Sequence, residues 1–115
     1  MILPAEFGRA VAQYFDENVS QTSCEINTHG MNYEQVIQII EAVCVECKKY
    51  GIDVSYICAT NGQIPSKWQE VYGSKFIYRG YIIYVDPNIE DVLIVHRVKW
   101  DAKTLQRPLQ GAPKG

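Results

Sequence analysis

The sequence predicts an α+β domain, with a small antiparallel sheet of about three to four strands packed against one long helix and one or two short ones. Three observations carry that expectation. Residues 33–50 place apolar side chains at helical spacing between clear start and stop signals. Residues 75–100, KFIYRGYIIYVDPNIEDVLIVHRVKW, read as two apolar strands joined across a turn. Helices and strands do not alternate as regular βαβ units, which favours an antiparallel sheet over a parallel one. At 115 residues and 47% apolar, the chain suits one core.

Each element follows from local signals. Pro4 fits the first turn of a helix, where its missing N–H costs nothing. Phe7, Val11, Tyr14 and Phe15 recur at helical spacing, and Asn18 suits a terminator, so a helix is expected over 5–17. Residues 19–31 are polar and turn-prone. Both a short edge strand near 21–27 and a loop fit them, and His29-Gly30 marks a turn.

The long helix starts at Asn32, an N-cap with Gln35 in the capping-box position. Its apolar stripe is Tyr33, Val36, Ile37, Ile40, Val43, Cys44 and Cys47. Lys48 and Lys49 complement the dipole in the last turn, and Gly51 is placed to end the helix. A strand is expected over 53–59, closed by Asn61-Gly62. Ser66-Lys67-Trp68-Gln69 spells a capping box for a short helix, 66–72. Residues 75–85 follow as a strand with a bulge or kink at Gly80, then Asp86-Pro87-Asn88 as a turn. Residues 92–100 return as the second strand of a hairpin, with Val92, Ile94, His96, Val98 and Trp100 on one face. The globular unit is expected over 1–103. Residues 104–115, with two prolines, two glycines and little to bury, are expected to form a flexible tail.

Composition narrows function more than it assigns it. No apolar run is long enough to cross a membrane. The amino terminus lacks a basic region and is soon interrupted by Glu6 and Arg9, so a cytoplasmic location is expected. The net charge is −2, with residues 1–50 at −4 and residues 51–115 at +2. That balance is far from the basic footprint of a dedicated nucleic-acid binder.

Several motifs invite chemistry. Cys44-Val45-Glu46-Cys47 is a C-x-x-C, but it falls in the last third of a helix and on its apolar stripe. Redox pairs sit at helix N-termini, where the dipole favours thiolate, so these cysteines read as core. A metal site would have to draw on Cys24, Cys58, His29 or His96 without a second paired motif, and no metal or cofactor is expected. There is no phosphate-cradling glycine motif, no G-x-S-x-G and no H-E-x-x-H.

His96 suits a general acid or base, with Arg79 or Arg97 to bind phosphate. Adjacent strand residues face opposite ways, however, so His96 and Arg97 should not share a substrate. In composition, Arg79, Tyr81, His96, Arg97 and Lys99 on a small sheet resemble the RNA-cutting surface of RelE-type ribonuclease toxins. The likeness covers 75–100 alone, and no diagnostic motif accompanies it.

Eight tyrosines and the uneven charge favour a binding role. The expected function is a small cytosolic, non-enzymatic protein that inhibits or modulates a macromolecular partner. Its size suits a bacterial or bacteriophage accessory protein. The expected contact residues are Tyr78, Arg79, Tyr81, Trp68 and Arg97. If charge dominates, the acidic face of the long helix (Glu34, Glu41, Glu46) is the alternative. A protein partner is expected ahead of nucleic acid, and self-association through a sheet edge is a further expectation. The competing reading is an RNA- or phosphodiester-acting enzyme using His96 with Arg79 or Arg97.

Overall fold

The computed structural model describes residues 3–72 and 74–98, with the side chains of residues 71 and 72 left aside. In order, the elements are α1 (Pro4–Glu17), β1 (Ser23–Asn27), α2 (Tyr33–Lys49), β2 (Val54–Thr60), α3 (Ser66–Tyr72), β3 (Lys75–Tyr78), β4 (Tyr81–Asp86) and β5 (Val92–Arg97). The expected α+β class is present. The expected tail from 104, the boundary at 103 and the strand end at Trp100 lie outside the described residues.

The long helix forms as its signals predict. The Asn32 side chain accepts from the Gln35 N–H at 3.0 Å, and the Gln35 side chain accepts in return from the Asn32 N–H at 3.0 Å. At the other end Gly51 adopts φ 73°, which a side chain would resist. The Ile52 N–H then reaches the Cys47 carbonyl at 2.9 Å, and the Gly51 N–H reaches Lys48 at 3.1 Å, the paired bonds of a Schellman ending.

The sheet departs from expectation in three ways. It has five strands, in the order β1-β5-β2-β4-β3, rather than three to four. It is mixed rather than antiparallel, because β2 and β4 pair in parallel. The hairpin is also not 75–100. It is β3–β4, closed by Arg79 (φ 51°) and Gly80 (φ 86°), with Tyr78 paired to Tyr81. Two successive positive φ values twist a two-residue turn in the sense that hairpins need. Gly80 is therefore a turn residue and not a bulge. Strand β5 does not pair with β4 at all, because β2 lies between them. The Asn61-Gly62 segment forms a short 3-10 helix, Asn61–Gln63, instead of a tight hairpin turn.

The alternation of side chains decides where the core sits. Ile57, Ala59, Ile83, Val85, Leu93 and Val95 share one face of the sheet and are buried beneath the helices. Val11, Ala12 and Phe15 of α1 and Val36, Ile39, Ile40, Val43 and Cys47 of α2 complete the core. The two helices approach most tightly where Gly8 meets Ala42. A Cβ on Gly8 would lie 2.6 Å from the Ala42 carbonyl oxygen. Trp68 of α3 packs edge-on against Phe76 at 5.8 Å, on the same side of the sheet.

Two buried polar links join distant segments. The Gln63 side-chain amide donates to the Thr28 carbonyl at 2.7 Å, and the Thr28 hydroxyl donates to Gln63 Oε1 at 2.7 Å. Arg97, 3% exposed, donates from a guanidinium nitrogen to the Phe15 carbonyl at 2.8 Å.

Candidate functional site

The last turns of α2 run beside the β3–β4 turn, and there the fold gathers most of the residues singled out from sequence. Tyr78 ends β3 with its side chain toward the helices. Its hydroxyl donates to Glu41 at 2.7 Å. Arg79, held in the turn, lies 3.4 Å from the same carboxylate. Its guanidinium also sits 5.7 Å over the Tyr78 ring. The hydrogen bond to Tyr78 and the charge of Glu41 raise the pKa of Arg79 further. Trp68 of α3 stacks on Tyr78, with ring centroids 5.9 Å apart and planes 26° from parallel.

Between α2 and this turn lies a groove of about 270 Å³. Ile40, Cys44, Val45 and Tyr81 form its apolar floor and wall, and Lys48 and Arg79 stand at its rim. Val45 is 54% exposed, an unusual position for a branched apolar residue in a helix. Trp68, Tyr78, Arg79, Tyr81 and Glu41 therefore belong to one surface.

The other expected contacts fall elsewhere. Glu34 is exposed two turns before Glu41, about 10 Å along α2. Glu46 is largely buried and accepts from Lys49 at 3.1 Å, while Glu41 is already engaged by Tyr78 and Arg79. The acidic face of α2 is thus largely satisfied from within the chain. Arg97 must leave the contact set. Its position on β5 points it at the helices, and its guanidinium is enclosed against Phe15, 5.0 Å over that ring.

The residues of the phosphodiester reading are also separated. His96 lies on the sheet face away from the helices, stacked on Tyr56 at 4.2 Å. Partial burial lowers its pKa from the ordinary 6.5, which favours the neutral ring. Arg97 is on the opposite face, and Arg79 is in the β3–β4 turn. The geometry brings no arginine to His96 from these two candidates.

Cys44 and Cys47 both sit on the buried stripe of α2. Burial, with a further push from Glu41, raises Cys44 to about 12, and burial raises Cys47 to about 12. Thiolate is scarce in both at neutral pH. In thiol labelling of the native chain at pH 7.5, Cys47 is expected to react only at the rate of unfolding, and Cys44, which lines the groove, slowly. Labelling of Cys47 within minutes would contradict the buried placement.

The groove and its tyrosines offered only a weak signal in sequence, because β propensity alone explains Tyr78 and Tyr81. The wall supplied by Val45 was hidden by its place between two core cysteines. Comparison with protein-family models, curated proteins and solved structures found no match.

Proposed function

We propose that this chain is a non-enzymatic binding protein of the cytosol that inhibits or modulates a protein partner. Its size suits an accessory protein of a bacterium or bacteriophage. One observation carries the reading. Tyr78, Arg79, Tyr81 and Glu41, with Trp68 stacked on Tyr78, are drawn from four elements and a turn and meet at an apolar groove with cations at its rim. Such a surface combines rigid aromatic area, a desolvated floor and peripheral charge, the usual anatomy of a contact patch. The Tyr78–Glu41–Arg79 bonds hold the turn in place before a partner arrives, which reduces the ordering cost of association.

The mechanism is occlusion by a preformed surface. Aromatic area sets the lifetime of the complex, while Lys48 and Arg79 set the encounter rate and its salt dependence. The test is affinity capture from native lysate with the wild-type chain and with Tyr81→Ala, Arg79→Ala and His96→Ala variants. One stoichiometric protein is expected with wild type and His96→Ala. Its recovery should fall at least tenfold with Tyr81→Ala and less with Arg79→Ala. Recovery that depends on His96 and not on Tyr81 would sink the proposal.

A further inference from the structure

The sheet face away from the helices reads as rows across paired strands. One row runs Glu25, Ile94, Cys58, Tyr84, Lys75 from the β1 edge to the β3 edge. The row beside it runs Ser23, His96, Tyr56, Ile82, Ile77. Among the described residues no helix packs on either row, since α1, α2 and α3 all lie against the other face.

Between polar ends, Ile94, Cys58, Tyr84, Tyr56, Ile82 and Ile77 form an apolar and aromatic patch, with His96 stacked into it. Tyr56 stacks on His96 and meets Tyr84 edge-on at 5.3 Å, and the Lys75 ammonium lies 5.6 Å over the Tyr84 ring. Ile77 is 71% exposed. A sheet with one solvated face normally alternates to polar residues on that face. A contiguous apolar patch there marks an interaction surface.

The charges on the first row stand at its two ends and are opposite in sign. Glu25 is on one edge strand and Lys75 on the other, and neither is ion-paired within the described residues. Strand β2 is central, with two strands on each side. Consider a two-fold axis along β2, in the plane between two copies packed face to face. It lays β1 over β3 of the second copy, β5 over its β4, and β2 over its β2. Glu25 then meets Lys75 of the second copy, Lys75 meets its Glu25, and Ile94 meets its Tyr84. Cys58 falls near the axis, opposite its own counterpart. The alternative axis, across the strands, sets Glu25 against Glu25. The face is therefore self-complementary in one arrangement, and that arrangement has the aligned strands of common sheet-on-sheet packing.

We infer that the chain forms a symmetric dimer through this face, with Glu25 and Lys75 paired reciprocally across the two-fold axis. This differs from association through a sheet edge. Five strands at their usual spacing span about 24 Å, and six residues run about 20 Å. Side-chain relief raises that footprint toward the roughly 800 Å² per partner of ordinary stable interfaces. The groove beside α2 lies on the other side of each sheet, so the dimer displays two copies of it.

Sedimentation velocity of the full chain over a range of concentrations tests the inference, with circular dichroism to verify folding of each variant. A dimer is expected for the wild type. Lys75→Glu and Glu25→Lys should each weaken association about tenfold, since each places like charges at two symmetric contacts. Combining the two should restore it. A short bis-maleimide should link copies through Cys58, and Cys58→Ser should abolish the link. A full chain that stays monomeric to high micromolar concentration overturns the inference, whether the face is then open or covered by residues 99–115 of the same chain. So does a double charge reversal no stronger than the single ones. Crosslinking through Cys24 instead would indicate edge pairing and overturn it too.

Discussion

Gly8→Ala is expected to destabilise the protein by about 2 kcal/mol, although alanine is the better helix former. The new Cβ would sit 2.6 Å from the Ala42 carbonyl oxygen and 2.7 Å from its carbon. Both are backbone atoms, which cannot swing aside as a side chain would. The helices must separate, and every layer beneath them loosens. Overpacking of this kind costs about 1–3 kcal/mol. Helix propensity returns up to about 1 kcal/mol, so the clash must be near the top of its range or beyond for the full loss. The readout is the thermal midpoint, expected to fall by roughly 10 °C for a domain of this size. Gly62→Ala is the control. A Cβ there meets nothing within 4 Å, so that variant should stay within about 0.5 kcal/mol of wild type. Equal midpoints for the two variants would show that the helices do not cross at Gly8.

Arg97→Met is expected to cost about 2–3 kcal/mol. Helix α1 has no basic residue in its last turn. Arg97, from a strand 82 residues later, supplies that charge and caps the Phe15 carbonyl at 2.8 Å. Hydrogen bonds from charged groups contribute about 1.5–3 kcal/mol, and a cation near a helix C-terminus adds to this. Methionine matches much of the stem but leaves the carbonyl without this donor. Arg97→Lys should rescue little, because an ammonium lacks the planar fork that both bonds Phe15 and lies over its ring. Urea denaturation measures the loss, and a change below about 0.5 kcal/mol, the scatter of ordinary surface substitutions, would refute the structural role. The same experiment separates this residue from partner binding, for which Arg97 is too enclosed.

The long helix was legible almost completely. Its cap and its Schellman ending depend on residues within a few positions of each other, and those residues act locally. The stripe was right from Val36 to Cys47 except that Ile39 is buried in it, while Tyr33 is exposed. The burial of Cys44 and Cys47 followed from the same periodicity. The faces of β5 were also correct. His96 and Arg97 point opposite ways, and strand alternation alone is enough to separate those two halves of a phosphodiester site.

Strand pairing was not legible. The turn signal at Asp86-Pro87-Asn88 is strong, but the chain there leaves β4, passes the end of β2 and returns as β5. The true hairpin closes at Arg79-Gly80, a weaker signal than Asn-Gly or Asp-Gly. Several apolar strands of similar length can pair in many orders at similar local cost. The order is chosen by how well the whole inner face packs against two helices.

Local spacing therefore determined which residues form helices and strands, how α2 begins and ends, and which side chains share a face. Tertiary packing decided the strand order, the closeness of α1 to α2 at Gly8, the enclosure of Arg97, and the meeting of Trp68, Tyr78, Arg79 and Glu41. The physical reason is range. Caps and alternation act over a few residues, whereas most of these contacts join separate elements, up to 82 positions apart, and their energy exists only once the core has closed.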